Sequence, residues 1–127
     1  MPKRSIHLPK VGHKAPIPLG ARVGPVLCSS AIAGKDPADG SLPADAALQV
    51  AHAFTNLRAL LAAGGASLDD VVRLSVTLAD DALREAVNTH WLAAWPDADD
   101  RPARHISISP LQHGMAIQLE VMAVIRA

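Results

Sequence analysis

The chain has 127 residues, half of them hydrophobic, and its 12 basic residues balance its 12 acidic ones. This length and hydrophobic content are typical of one folded domain and exclude a disordered chain, and the absence of net charge removes any general attraction to nucleic acid or to an anionic membrane. The single cysteine, Cys28, excludes an internal disulfide, and no segment approaches the ~20 apolar residues of a membrane span; we therefore expect one cytoplasmic domain over residues 1–127.

Short apolar runs separated by Pro and Gly fill the first part of the chain. They predict three strands before any helix: a short one in SIHLP at residues 5–9, a second over residues 16–22 and a third over residues 25–32. A turn at Gly24 joins the second strand to the third, and a turn-rich segment follows. Cys28 falls in the apolar third strand, which indicates a buried, unreactive thiol.

Helical spacing begins at Asp45, a residue type that favours the N-cap of a helix. Gly64 and Gly65 end the pattern, because glycine favours the C-terminal end of a helix. The expected apolar face consists of Leu48, Ala51, Phe54 (or Thr55), Leu57 (or Arg58) and Leu61.

The second half of the chain alternates strand and helix. The segment DDVVRLSVTLAD, residues 69–80, predicts a half-buried strand, and DDALREAVNTHWLAAW, residues 80–95, predicts an amphipathic helix that ends before Pro96. Two strands follow, in RPARHISISP at residues 101–110 and in MAIQLEVMAVIRA at residues 115–127. The strand at residues 69–80 is expected to turn Val72, Leu74, Val76 and Leu78 to one face and Arg73, Ser75 and Thr77 to the other.

The element order β-β-β-α-β-α-β-β predicts an α+β fold, with one mainly antiparallel sheet and both helices on one face. The opposite face then has no cover, and the residues expected on it are part polar and part apolar. Such a face meets water or packs against another subunit, and the neutral charge and apolar surface favour self-association. The residues expected there are Ser75, Thr77, Ile106, Ile108, Gln118 and Glu120.

Five segments, taken together in their order and spacing, resemble a known family. They are GPVLCSSAIAGKDPADGSLPAD at residues 24–45, NLRALLAAGGASLDDVVRLSVTLAD at 56–80, AVN at 86–88, RPAR at 101–104 and LEVMAV at 119–124. In these segments the chain resembles the Rid (reactive intermediate deaminase) family, also called YjgF-like. The resemblance implies a chorismate-mutase-like fold and a homotrimer with three clefts at the subunit interfaces.

The resemblance also gives Arg104 a role. It matches the arginine that binds the substrate carboxylate in deaminating members of the family, and a guanidinium offers a planar fork that fits a carboxylate. The substrates of such members are 2-imino and 2-amino-enoic acids, which water converts to 2-keto acids and ammonia without a metal or another cofactor. From the residues alone, Arg104 has the alternative of a structural ion pair with Asp99 or Asp100, and Arg101 is expected to be a surface charge.

The resemblance also implies further site residues, and three of them differ from the residues usual in the family. Ser30 matches the family, whereas Ile17 stands in place of an aromatic hydroxyl, Ala31 in place of a glycine and Ile106 in place of a cysteine. The site is therefore expected to be more apolar than is usual in the family, which favours a larger or more apolar substrate side chain.

Two residues are candidates for placing the attacking water molecule. Gln118 stands where the family has a glutamate, and Glu120 follows it on the same side of the strand. Glutamine orients water but cannot accept its proton. Glu120 therefore either serves this role itself or forms an ion pair with a neighbouring subunit.

Two functions of different classes follow. The first is an enamine/imine deaminase, a hydrolase of the 2-iminobutanoate/2-iminopropanoate deaminase type, and the second is a non-catalytic trimer that binds small carboxylates or a protein partner. The six histidines show no paired spacing of metal ligands, so we expect no metal site, while His105 and His113 flank the expected cleft. Trp91 and Trp95 are expected to pack as a pair on the second helix.

Overall fold

A computed structural model describes residues 3–126, which form one sheet of seven strands and two α-helices. The strands are β1 (Ser5–Ile6), β2 (Gly20–Val23), β3 (Val26–Ser29), β4 (Ile32–Ala33), β5 (Val71–Leu78), β6 (Ala103–Ile108) and β7 (Ile117–Val124), and the helices are α1 (Ala46–Ala63) and α2 (Arg84–Ala94). The spatial order of the strands is β1-β2-β3-β7-β5-β6, with β4 also beside β7. All pairs are antiparallel except β5 and β6, so the predicted α+β fold with a mainly antiparallel sheet is confirmed.

The core lies between the helices and one face of the sheet. Every second residue of β7 from Ile117 to Ala123 is buried, and Leu74, Val76 and Leu78 of β5 are buried beside them. The buried hydrophobic residues of both helices belong to the same cluster, so both helices cover one face, as predicted. The opposite face, called the open face below, carries Ser75 and Thr77 of β5, His105 and Ser107 of β6, and Gln118, Glu120 and Met122 of β7.

Helix α1 begins and ends where the sequence predicts. The Asp45 carboxylate accepts hydrogen bonds from the backbone N–H groups of Ala47 at 2.9 Å and of Leu48 at 3.3 Å, and Gly64 is the C-cap. The buried stripe differs from the expected one, because Leu48 is 44% exposed and the neighbouring Gln49 is buried. Neither helix within residues 3–126 is long and apolar enough to cross a membrane.

Gln49 is buried because its amide connects α1 to two loops. Its Nε2 donates to the carbonyl of Pro43 at 2.8 Å and to the carbonyl of Gly114 at 3.0 Å. Its Oε1 accepts a hydrogen bond from the backbone N–H of Ala116 at 2.8 Å. A buried polar side chain needs such partners, and here they also hold the loop before β7 against the helix.

The first two strands are shorter than predicted. β2 begins at Gly20 rather than at residue 16, because Pro16 and Pro18 have no backbone N–H to give to a strand pair. The hairpin between β2 and β3 turns at Gly24, as predicted, and its φ of 59° is a left-handed conformation that glycine adopts readily.

A bulge near the start of β5 corrects the predicted faces of this strand. Val71 pairs with Ala123 and Arg73 pairs with Met122, so Val72 is left over between them. The extra residue turns Val71 into the core and leaves Val72 48% exposed. The prediction that Val72 shares the buried face was therefore wrong.

The register between β6 and β5 decides which residues of β6 face the helices. Arg104 lies opposite Leu74 and Ile106 lies opposite Val76, and both partners are buried in the core. Arg104, Ile106 and Ile108 therefore lie on the helix-covered face. The prediction that Ile106 and Ile108 lie on the open face was wrong, because alternation separates two faces without saying which one meets the helices.

The predicted third strand is divided at Ser30 and Ala31 into β3 and β4. Near this break the hydroxyl of Ser29 accepts a hydrogen bond from the backbone N–H of Val121 at 2.9 Å. A side chain thus satisfies the N–H group where the strand ladder is interrupted. Cys28 of β3, predicted to be buried, is exposed on the open face.

Candidate functional site

Arg104 is held on the edge strand β6 by two residues of helix α2. Its Nη1 donates a hydrogen bond of 2.8 Å to the Oδ1 of Asn88, and its guanidinium carbon lies 4.9 Å from the centre of the Trp91 ring. Trp91 is in turn packed against Trp95, with ring centres 4.7 Å apart, which confirms the predicted pair. The spacing of Asn88 and Trp91 puts both on one side of α2, and this spacing was the signal in the sequence for their shared contact.

Within the described part of the chain, the charge of Arg104 is not paired with a carboxylate. Among residues 3–126, no Asp or Glu oxygen lies within 4.0 Å of its nitrogens, so the alternative of a structural pair with Asp99 or Asp100 is not observed. Burial of the guanidinium, and then the positive charge of Arg84, lower the pKa of Arg104. Both effects disfavour an isolated cation, and an anion bound beside it would reverse them. An arginine nevertheless stays protonated in a protein, so the group is suited to bind a carboxylate.

Arg101 is exposed at the surface, as predicted, and its side chain also makes two structural hydrogen bonds. Its Nε donates to the carbonyl of Trp95 at 2.9 Å, and its Nη2 donates to the carbonyl of Pro96 at 3.2 Å. These bonds tie the end of α2 to the approach of β6. The two arginines of the RPAR segment therefore have different roles. Arg101 fixes the loop, whereas the charge of Arg104 is left available to a ligand.

The second part of the candidate site is a pocket of about 460 Å³ beside β4 and β7. Gln118 lies in its wall, with its Nε2 3.6 Å from the sulfur of Met115. Ala31 and His113 also line it. The remaining lining residues are Val11, Gly12, His13, Lys14, Ala33, Lys35, Gly40 and Leu42.

Three further residues predicted for the site lie outside this lining. Glu120 is exposed on the open face opposite Ser75 of β5. Ser30 is partly buried in the gap between β3 and β4, where its backbone N–H donates to the carbonyl of Leu19 at 2.8 Å. Ile17 is 45% exposed in the loop before β2.

The predicted residues thus fall into two groups on opposite faces of the sheet. Arg104 and Ile106 lie on the helix-covered face, where Ile106 packs against the core. Gln118 pairs with Thr77 on the open face. No single face of the sheet therefore carries both Arg104 and Gln118. His105 of β6 also lies on the open face.

Residues 3–126 contain no group of three or more His, Cys, Asp or Glu side chains placed to hold a metal ion. Lys14 and Lys35, which the sequence analysis did not single out, lie in the pocket wall together with His13. No sequence motif predicted that these residues lie together, because they come from separate loops.

The fold and the two groups of residues define a class of protein. It has a mixed sheet covered by two helices on one face and a pocket on the opposite face, and its edge strand carries an arginine with no carboxylate partner among the described residues. The sequence profile described as endoribonuclease L-PSP matches residues 18–125. The chain belongs to this family, which contains the YjgF and Rid proteins, as the sequence resemblance predicts.

Relatives agree with this assignment in sequence and in fold. The chain is 28% identical over 109 residues to a 2-iminobutanoate/2-iminopropanoate deaminase of Escherichia coli (strain K12), which is 84% of this chain and 85% of that protein. The crystal structure of RidA from Psychrobacter sp. PAMC 21119 is 26% identical, with a TM-score of 0.86, over 97% of this chain and all of that one. The Escherichia coli YjgF gene product is 25% identical, with a TM-score of 0.85, over 97% of this chain and 99% of that one.

Proposed function

We propose that the protein hydrolyses 2-imino (2-amino-enoic) acids to 2-keto acids and ammonia, with Arg104 binding the substrate carboxylate. One observation carries this proposal: a partly buried guanidinium, oriented by Asn88 and Trp91, has no carboxylate partner among the described residues. The name of the curated Escherichia coli relative, a 2-iminobutanoate/2-iminopropanoate deaminase, supports the same reaction.

Arg104 fixes the substrate for attack by water. The N–H groups that Asn88 leaves unused bind the carboxylate, and the imine carbon next to that carboxylate is then held in one place. Water adds its oxygen to this carbon and its protons pass to the nitrogen. The tetrahedral carbon then expels ammonia as the C=O double bond forms, which leaves a 2-keto acid. Holding the reactants together supplies much of such a rate enhancement.

Gln118 and Glu120 are the candidates for placing the water. The Gln118 amide orients a water molecule through its oxygen or its N–H groups. Glu120, on the same face, is able to accept a proton, and a positioned base of this kind typically contributes about 10²–10⁴-fold. Ser30, Ala31, Ile17 and Ile106 complete the proposed substrate surface.

The proposed assembly is a homotrimer with a site at each interface. Arg104 and Gln118 lie on opposite faces of one sheet, so the two groups meet on one ligand only if two copies contribute. The open face also carries exposed apolar side chains at one end, which favours its burial by another copy. They are Val23 (65% exposed), Val26 (43%), Met122 (39%) and Val124 (41%).

A non-catalytic carboxylate binder is the second candidate function. The observation that favours it is the amide of Gln118, because an amide in the position of the family's glutamate cannot take a proton from water. In that case Arg104 binds 2-keto acids without turnover, and Glu120 pairs with a neighbouring copy.

Ammonia release decides between the two candidates. Amino acids are oxidised to imines by an amino-acid oxidase, and ammonia is followed with and without the protein, since imines also hydrolyse in buffer. The deaminase proposal expects acceleration by the wild-type protein and none by Arg104→Ala, whereas the exposed Arg58 of α1 supplies a matched control, Arg58→Ala, with full activity. If the wild-type protein never exceeds buffer but still binds 2-oxobutanoate through Arg104, the binder is correct.

A further inference from the structure

The pocket beside Gln118 has a charge that the chain as a whole lacks. The chain is neutral, yet the pocket wall contains Lys14, Lys35, His13 and His113 and no acidic residue. Within a low-dielectric cleft, side chains of one sign concentrate their field and attract the opposite charge. The pocket is therefore suited to an anion.

Lys35 is the best-placed cation of this wall. It is partly buried, and its Nζ donates a hydrogen bond of 2.9 Å to the carbonyl of Gly12, another lining residue. An ammonium has three N–H donors, so two remain for a ligand after this bond. Among residues 3–126, no Asp or Glu oxygen lies within 4.0 Å of Lys35 or of Lys14. The protein positions the Lys35 ammonium but does not neutralise it.

His13 supplies a second, independent observation. Its Nε2 is buried and has no hydrogen-bond partner among the described residues. Buried polar atoms nearly always have a partner, from the protein or from something bound to it. The nitrogen lies below the surface of the pocket wall, so an anion in the pocket would reach it only if the His13 ring turned toward the ligand.

The pocket has a place in the proposed reaction because it shares Gln118 with it. A substrate whose imine carbon faces Gln118 would direct its side chain into this space. The volume of about 460 Å³ is within the usual range for small-molecule pockets and exceeds the need of a methyl or ethyl side chain. Ile17 and Ile106, which suggested an apolar side chain from the sequence, do not line the pocket.

We infer that this pocket is a second anion subsite, so that the preferred substrates are dicarboxylic 2-imino acids, with a carboxylate at the end of the side chain. The inference rests on the proposed function, because it assigns the first carboxylate to Arg104. A carboxylate, rather than a phosphate, follows from the class of substrate, since the acidic amino acids carry a carboxylate in that position.

The experiment measures the binding of two product analogues to the full-length protein by calorimetry. One is 2-oxoglutarate, and the other is 5-methyl-2-oxohexanoate, in which two methyl groups replace the oxygens of the distal carboxylate. The wild-type protein should bind 2-oxoglutarate roughly tenfold or more tightly, because hydrogen bonds to charged groups are strong. This preference should shrink as the salt concentration rises.

Variants show whether the pocket causes the preference. Lys35→Met keeps the stem of the side chain and should weaken 2-oxoglutarate binding by roughly tenfold without changing the affinity for the monocarboxylate 5-methyl-2-oxohexanoate. Lys14→Gln, at an exposed position, should act in the same direction and avoids any loss of the Lys35 bond to Gly12. Lys3→Gln, at an exposed residue outside the pocket, is the control for a change of net charge and should leave the preference intact.

The outcomes separate this inference from the proposed function. Equal affinity of the wild-type protein for the two analogues, or equal loss of both in Lys35→Met and Lys14→Gln, would overturn the anion subsite. If Arg104→Ala binds both analogues as the wild-type protein does, the carboxylate clamp is wrong. A selective effect of Lys35→Met on 2-oxoglutarate would still support the anion pocket in that case.

Discussion

Replacing Arg104 with lysine separates the shape of this side chain from its charge. Lysine keeps one positive charge on a flexible stem but has no planar fork. It therefore loses the 2.8 Å bond to Asn88 and the contact with the Trp91 ring, whose centre is 4.9 Å from the guanidinium carbon. It also loses the parallel pair of N–H groups that would bind both oxygens of a carboxylate.

Arg104→Lys should weaken the binding of a 2-keto acid and still leave the protein folded. Loss of a hydrogen bond to a charged group costs about 1.5–3 kcal/mol, which raises Kd by roughly 10–150-fold. The bond to Asn88 contributes about 1 kcal/mol to folding, and a solvent-accessible cation–π contact contributes about 0.5–1 kcal/mol. A loss of this size lowers Tm by roughly 5–10 °C in a chain of this length, so Arg104→Lys should remain folded at room temperature.

Calorimetric titration with 2-oxobutanoate measures the affinity, and thermal unfolding followed by circular dichroism measures the stability. Arg58→Ala, on the exposed side of α1, is the control and should match the wild-type protein in Kd. Equal Kd values for the wild-type protein and Arg104→Lys, with both folded, would refute the idea that a bidentate guanidinium binds the ligand.

Three other predictions follow from the site, the sheet and the bulge. If Glu120 deprotonates water, Glu120→Gln should reduce ammonia release by about 10²–10⁴-fold with ligand binding nearly unchanged. If Gln118 occupies the water site instead, Glu120→Gln should lower the Tm of the assembly, and Gln118→Glu should raise turnover above the rate in buffer. The protein should sediment as a trimer at micromolar concentration, and a monomer in equilibrium sedimentation would remove the model of a site between copies. Val71→Ala should lower the free energy of unfolding by about 2 kcal/mol because it removes buried methyl groups, whereas Val72→Ala should change it by less than about 0.5 kcal/mol. Denaturant unfolding measures both variants, and equal losses would contradict the bulge.

Local signals in the sequence predicted the elements of the fold well. Asp45 and Gly64 set the ends of α1, because a cap acts on the backbone next to it and needs no distant partner. The family resemblance then singled out Arg104. In the structure, Asn88 and Trp91, three residues apart on α2, both contact its side chain.

The errors arose where distant segments decide the outcome. Ile106 alternates with polar residues just as an open-face residue would, and only its pairing with Val76 turns it to the helices. Val72 fits the alternation of β5, but the bulge is a property of the β5–β7 pair rather than of either strand. The pocket cations Lys14 and Lys35 come from different loops, so no spacing in the sequence relates them to each other.

The place of β6 at the end of the sheet has a consequence for exchange with solvent. Within residues 3–126, β6 is bonded to β5 alone, whereas β7 has strand neighbours on both sides. Such a margin opens by local fluctuations well below the free energy of global unfolding, and each opening would carry Arg104 away from Asn88. If Arg104 binds a carboxylate as proposed, the ligand stabilises only the closed state, so saturating ligand should slow amide deuterium uptake in β6 and leave β7 unchanged. The rate of deuterium uptake in β6 would then measure how often Arg104 is held against Asn88, in the state proposed to bind the ligand.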